Sequence, residues 1–490
     1  MAGVVVAIVL AAVAARVVPA FRQPLWLDEV VSARIIVQPT FSSAVTRVRK
    51  GESSPPGWHM LNWLVWRATG RPNRIDRLRL LSVGFGGLLA GLVVLYGLSL
   101  GLSRLGAATA GGLLALGPNV VAHGAELRPY AFLTLLALLF AFALERAAQT
   151  PSYRRLAELT LVVAVGCYTH YFFLLCLATG AAWSLLRLSG QARARVLGAL
   201  AVGVVPFLVW LPSFLVQYRH NLYAYNGSFN LRAVAYSYAR IIGLLGETGG
   251  LPAVVRLLFA LAVLAGAIVL LRRRPGELAA LLTVLPVALT AVVWLLGPHV
   301  FNERNLLVSA PFAAVAIGML VSSLPRTGSL LLVAALAGTV AVSLWKFEVD
   351  YGRSSYDGIA NALVASGWQP TDAIVQFGPA PLGLSQPVGW YLPGHPNLVR
   401  ARFPVCGRLF AVSYDTGAGP SWIRLHVASN ATPHLFKAYD HSPRGPASPT
   451  PIVVARVEGG TATAKNALAH GARLLHDQGA NGARHCASGA

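Results

Sequence analysis

About eleven stretches of this chain are apolar for roughly the 20 residues that a helix needs to cross a bilayer. Nothing else in the sequence constrains the fold as tightly. In lipid every backbone N–H and C=O must be satisfied within the segment, so each such run must be a helix. The first covers residues 3–20 and the second 80–101. The third and fourth cover 105–121 and 129–146. The run at 156–188 is too long for one span and breaks near "YTHYFF", giving two. Further spans fall at 196–214, 251–271, 278–297, 305–323 and 328–345. Composition agrees: 55% of the 490 residues are hydrophobic and 12% charged, where a soluble chain carries about 25% charged. The expected fold is an all-α polytopic membrane protein.

Short loops set the expected orientation. Arg104; Arg146, Arg154 and Arg155; Arg187, Arg193 and Arg195; Arg272, Arg273 and Arg274; and Arg326 fall in one alternate set of loops. Under the positive-inside rule that set is cytoplasmic. The opposite set then faces outward: 21–79, 122–128, the turn at His170, 215–250, 298–304 and everything after 346. The loop 21–79 is itself rich in Arg, but long loops report orientation weakly. Topology also accounts for the net charge of +22, so the basic balance does not indicate nucleic acid. "MAGVVVAIVLAAVAARVVPA" resembles a signal peptide in its small residues, yet it lacks a basic region before Arg16, which favours a retained span. The expected location is the inner (plasma) membrane.

The chain divides into a membrane domain, 1–346, with the outer loop 21–79, and a polar part, 347–490. In the latter, "DAIVQFG", "RLFAVSY" and "PIVVARV" read as strands. "SYDGIANALVASG" and "TAKNALAHGARLLHDQ" read as helices with Ser or Thr near their starts. A small extracytoplasmic α/β domain with a mobile tail is expected. It has no glycine-rich nucleotide loop. Cys406 and Cys486 lie there and either pair in an oxidising compartment or remain two thiols. Cys167 and Cys176 lie in apolar segments and are expected to pack there.

Four separate loops put ionisable side chains at outward span ends. Asp28 and Glu29 follow span one, in "QPLWLDEVVSAR". "HGAELRPYAF" supplies His123, Glu126, Arg128 and Tyr130. "YTHYF" supplies His170 and Tyr171. "HVFNERNLL" supplies His299, Asn302, Glu303 and Arg304. Each has a bland counterpart: solvated loop acids, a local Glu126–Arg128 pair, a turn histidine, an Arg304–Glu303 pair. Their coincidence on one side favours a shared site, since ionisable groups at membrane depth mark function.

Arginines at an outer lipid boundary suit a phosphate, because guanidinium is planar, permanently charged and binds two oxygens at once. A carboxylate beside them can act as general base on an incoming hydroxyl. Transfer of a group from a lipid phosphate to an acceptor fits these parts. Trp26, Trp58, Trp63 and Trp66, with Tyr218, Tyr223 and Tyr225, form an interfacial aromatic belt or a surface for sugar. "FSSAVTRVRK" and "PPGWHMLNWLVWRATG" read as amphipathic helices along the interface.

"LWLDEVVSAR", "SSPPGWHMLNWLVWRATG", "RLRLLSVGFGGLLAGLVVLYGL", "AELRPYAFLTLLALL" and "FNERNLLVSAPFAAVAIG" together resemble bacterial GT-C glycosyltransferases. The likeness is to the protein O-mannosyltransferase and aminoarabinose-transferase-like enzymes. "YGRSSYDGIANALVASGWQPTDAIVQFG" is similar to the start of their small outer domain. The resemblance implies a polyprenyl-phosphate sugar donor, mannosyl-like, and a glycan, lipid or protein acceptor, with inversion at the anomeric carbon. It implies Asp28 as general base with Glu29 beside it, and Arg128 and Arg304 on the donor phosphate. Glu126 and Tyr130 would orient Arg128 or the sugar, and His123, His170, Tyr171, Asn302 and Glu303 would line the substrate site. Some relatives hold a divalent cation at the acidic pair. This chain departs from the pattern at Asn305, where a tyrosine is usual, and in "PPGWHML", where two aromatics often follow the prolines.

Two other classes compete. A transporter or lipid flippase would want polar residues near the midplane and broken helices in paired repeats. A non-catalytic envelope scaffold would tolerate changes at Asp28 and Arg128.

Overall fold

The computed structural model describes residues 1–219 apart from Pro72, then 229–243, 253–296, 300–350, 356–370, 372–377, 385–396, 398–400, 409–414, 432–439, 449–457 and 473–477. The expectations for His299, Tyr223, Tyr225, Cys406 and Cys486 lie outside the described residues.

Helices dominate. They are α1 (Ala2–Arg22), α2 (Leu27–Ile36), α3 (Phe41–Gly51), α4 (Gly57–Ala68), α5 (Arg79–Ser99), α6 (Arg104–Leu116), α7 (Pro118–Gly124), α8 (Tyr130–Gln149), α9 (Tyr153–Thr169) and α10 (Phe173–Arg187). After them come α11 (Gly190–Leu208), α12 (Leu211–Arg219), α13 (Leu231–Ala235), α14 (Ser237–Ile242), α15 (Ala253–Leu271), α16 (Glu277–Leu295), α17 (Ala310–Ser323) and α18 (Arg326–Asp350). Among the described residues, eight helical segments are long and apolar enough to cross a membrane. A ninth is added if α6 and α7, which meet at a 55° bend, count as one span. The run at 105–121 is therefore broken rather than straight. Its cause is local: Pro118 has no N–H and cannot continue the ladder of α6. The run at 156–188 divides where expected, into α9 of 17 residues and α10 of 15. The chain is an integral multi-pass membrane protein.

The chain forms two compact units. One comprises Met1–Arg22 and Ser32–Val349; the other comprises Gln23–Val31 and Asp350–Ala490. In the first, the segment Asn305–Ser323, which contains α17, is the most enclosed candidate span, 83% buried, and α17 packs on α6 and α15. Cys167 and Cys176 are buried free thiols in this unit. The amphipathic stretches of the first long loop are α3 and α4. α3 starts with a reciprocal cap in which Thr40 Oγ1 accepts from Ser43 N and Ser43 Oγ from Thr40 N. Such a cap satisfies two end donors at once.

The second unit adds α19 (Tyr356–Ala365) and α20 (Ser385–Tyr391) to six strands: β1 (Ala373–Phe377), β2 (Leu398–Arg400), β3 (Leu409–Tyr414), β4 (Thr432–Tyr439), β5 (Pro449–Val457) and β6 (Arg473–Asp477). The sheet order is β2-β6-β1-β3-β5-β4, with β1 and β3 parallel and the other pairs antiparallel. One expectation needs correction. "RLLHD", read as part of a helix, is β6. It pairs on one side with β1 and on the other with β2, and two flanking strands override a weak local preference. The core of this unit includes Ile359, Leu363, Trp368, Ile374 and Phe410, and Trp26 packs against it. Leu25 N donates to Tyr391 Oη at 2.5 Å. The segment carrying Asp28 and Glu29 is grouped with this unit, and α2 continues from it into the first.

Candidate active site

In the membrane unit the loops at one end of the helices gather around Arg128. The residue follows α7 and precedes α8, so the α6–α7 break aims it. Its guanidinium makes a two-pronged contact with Glu52: Nη1 donates to Oε2 at 2.7 Å and Nη2 to Oε1 at 3.2 Å. Nη1 also donates to Ser32 Oγ at 3.1 Å. His59 Nε2 lies 3.4 Å from Glu52 Oε2 and 3.3 Å from Ser32 Oγ. Ser32, Glu52, His59 and Arg128 are all buried. Burial by itself would raise the Glu52 carboxyl. The charge of Arg128 and the contacts with His59 outweigh it and hold Glu52 well below the usual carboxylate range.

Glu52 owes its position to a rigid corner. It caps the end of α3, its N–H donating to Val48 O at 3.1 Å. Pro55 and Pro56 then turn the chain into α4. Gly57 sits so close to the end of α9 that an added Cβ would lie 2.5 Å from Tyr168 O. From the other side, Gln217 Nε2 donates to Val48 O at 2.9 Å. Tyr171 Oη donates to Gln217 Oε1 and accepts from Trp210 Nε1 at 3.0 Å. Burial raises the Tyr171 phenol. Tyr171 is therefore a strut for the Glu52 corner, through α12.

His170, in the turn after α9, is buried, and Phe172 N donates to its Nδ1 at 3.2 Å. A neutral ring in that arrangement carries its proton on Nε2. Burial, then the charge of Arg128, lower its pKa; Glu52 opposes and Arg304 adds to the lowering, to about 3. Arg128 and Arg304 thus act on one imidazole although they come from loops far apart in sequence. Tyr130 packs 5.8 Å from the His170 ring and 5.0 Å from that of His123. His123 Nδ1 lies 3.1 Å from Glu126 Oε2. Glu52 faces Arg128, and Glu126 faces His123.

Arg304 stands at the end of a turn built by its neighbours. Its N–H donates to Asn302 Oδ1 at 3.1 Å, and Asn305 Nδ2 donates to Val300 O at 3.1 Å. Asn305 is thereby spent on the loop's own backbone. Glu303 is half-buried in the same turn.

Asp28 and Glu29 occupy the first turn of α2, where the helix dipole favours acids. Glu29 is buried, and its Oε2 accepts from Trp26 N at 3.3 Å, closing the start of the helix. Asp28 is half-buried.

Neither a protein-family model nor a curated protein matches this sequence. Among solved structures it is similar to the archaeal oligosaccharyltransferase AglB from Archaeoglobus fulgidus, in complex with an inhibitory peptide and a dolichol-phosphate. The TM-score is 0.42 at 11% identity, over 82% of this chain and 61% of that one. It is also similar to the arabinofuranosyltransferase AftD from mycobacteria, with TM-score 0.38 at 14% identity, over 93% of this chain and 41% of that one. This chain spans less than two thirds of either. The functional reading therefore rests on the residues of the site.

Sequence reasoning singled out Arg128, His123, Glu126, Tyr130, His170 and Tyr171, and the structure brings them into one region of the membrane unit. It missed Glu52, His59, Ser32 and Gln217. The available signal was "GESSPPGWH", an acid and a histidine on either side of a Pro-Pro corner. Among the described residues no three His, Cys, Asp or Glu side chains gather to hold a metal. A divalent cation at Asp28 and Glu29 would take further oxygen ligands beyond these two carboxylates.

Proposed function

We infer that this protein is a membrane-embedded glycosyltransferase of the GT-C type that uses a polyprenyl-phosphate sugar donor. The observation that carries the reading is the buried Arg128 guanidinium, held by Glu52 and Ser32 among loops that also bring His59 to the same place. In this reading Arg304, from a separate loop, adds its positive charge to that of Arg128 on one anionic group. Glu52 occupies both Nη groups of Arg128, so in this reading Arg128 acts on the phosphate through its charge. The sequence resemblance supplies the sugar chemistry.

In this reading an acceptor hydroxyl attacks the anomeric carbon from the face opposite the phosphate. Asp28 takes the hydroxyl proton as the new C–O bond forms. The old bond from the anomeric carbon to the phosphate oxygen breaks, and the polyprenyl phosphate leaves with the electron pair. Arg128 and Arg304 stabilise the charge on that phosphate, which needs no proton. Neutral His170 supplies Nε2–H as a donor without adding charge. The acceptor is a glycan, lipid or protein on the outer face of the inner membrane, and residues 347–490 form an extracytoplasmic domain there.

The test is transfer from a panel of radiolabelled polyprenyl-phosphate sugars in membranes, with wild type beside Asp28→Asn. Label should pass to a new product with wild type and fall by about 10²–10⁴ in the variant. Full activity of Asp28→Asn would remove the base; no transfer from any donor by folded wild type would remove the class.

A further inference from the structure

Arg16 is the most unusual cation in the membrane unit. It sits inside α1, is fully buried, and among the described residues no carboxylate pairs with it. Its partners are backbone carbonyls. Nη1 donates to Ala12 O at 2.8 Å and to Ala115 O at 2.9 Å; Nη2 donates to Leu114 O at 2.7 Å and to Val120 O at 3.4 Å.

The choice of carbonyls explains the residue. In an unbroken helix Leu114 O would accept from residue 118 and Ala115 O from residue 119. Pro118 has no N–H, and α6 ends before Asn119 can serve. The break thus orphans two carbonyls inside the bundle, where water cannot satisfy them. The Arg16 fork supplies donors to those two, and with Val120 O it spans the break itself. Glycines leave room for it. A Cβ at Gly86 of α5 would lie 2.5 Å from Arg16 Nε, and one at Gly124 of α7 would lie 2.4 Å away. Arg16 lines a small cavity together with His123, Tyr130 and Thr134.

We propose that Arg16 is a positioning residue for the transfer site: it staples the α6–α7 break and so fixes the direction in which α7 delivers His123, Glu126 and Arg128. The proposal rests on the transferase reading for its functional half. The structural half stands apart from it.

The experiment therefore uses two readouts on the full-length protein. Val121 is fully buried on α7, so a Val121→Cys reporter, measured against the same chain without it, follows opening of the break by maleimide labelling. Arg16→Met should speed labelling roughly tenfold, as a tenfold more populated local opening would. It should raise the donor KM on the order of 10- to 100-fold with the acceptor KM unchanged, the scale of a small misplacement at a reacting centre. Adding Pro118→Ala returns an N–H to Leu114 O, and should slow labelling again; an arginine that merely fills space gives no such rescue. Gly86→Ala, which crowds Nε, repeats the test should Arg16→Met fail to fold. Unchanged labelling in both variants overturns the staple. Faster labelling with unchanged donor KM overturns the positioning role. Faster labelling in a protein whose wild type transfers no sugar supports the staple and removes the transferase reading instead.

Discussion

Glu52 and Arg128 meet through two hydrogen bonds, 2.7 and 3.2 Å long, across 76 residues of sequence. Both side chains are nearly solvent-free. Such a pair is stabilising only while complete, because removal of one partner leaves a buried charge alone. Glu52→Ala should therefore destabilise the protein by about 3–5 kcal/mol, read as denaturation of the purified protein in detergent. Glu52→Ala with Arg128→Leu should recover part of the loss. Additive losses in the double variant would show that the two do not act as a pair.

The same end of the molecule should make stability depend on pH. His170 titrates near 3 when folded and near 6.5 when unfolded. Between those values the unfolded chain binds the extra proton, so stability falls as pH drops through the window, by about 1.4 kcal/mol per unit. His170→Gln should flatten this slope. Glu52, with a lowered folded pKa, contributes stability that is full above its unfolded value of roughly 4.3 and is lost as pH falls toward its folded value. Glu52→Gln should remove that lower component and leave the His170 slope between about 6.5 and 4.5 in place.

Lysine should not replace either arginine. It keeps the charge but loses the planar fork. Arg128→Lys and Arg304→Lys should each raise the donor KM by roughly 10- to 100-fold, the equivalent of about 1.5–3 kcal/mol for a hydrogen bond to a charged group. Arg128→Lys should also lower stability, since Glu52 loses one of its two bonds. Steady-state kinetics with a purified lipid-phosphate sugar separate the effects. An unchanged donor KM in both variants would place the phosphate elsewhere.

Gly57→Ala tests the corner that carries Glu52. The new Cβ would approach Tyr168 O to 2.5 Å, and relief requires the corner or the end of α9 to move. A loss of about 1–3 kcal/mol is expected, the usual range for overpacking. Melting of this variant at wild-type temperature would show that the corner is soft.

Much of the architecture follows from the sequence alone because it is local. A run such as "LLVAALAGTVAVSL" must be helical in lipid, and Pro-Pro before "GWHML" must turn the chain. "DAIVQFG", "RLFAVSY" and "PIVVARV" carry the alternation of strands and are β1, β3 and β5. The sequence likewise exposes Arg128, His170 and Arg304, since charged residues at the ends of apolar runs stand out against their surroundings. What it could not determine depends on partners distant in the chain. "RLLHD" is extended only because β1 and β2 flank it. Glu52 looks like a loop acid until Arg128 arrives from 76 residues away. Arg16 looks like the end of a hydrophobic run until the orphaned carbonyls of Leu114 and Ala115 reach it. Burial and pairing are properties of the assembled bundle, so only the tertiary structure decides which charges are solvated and which are held.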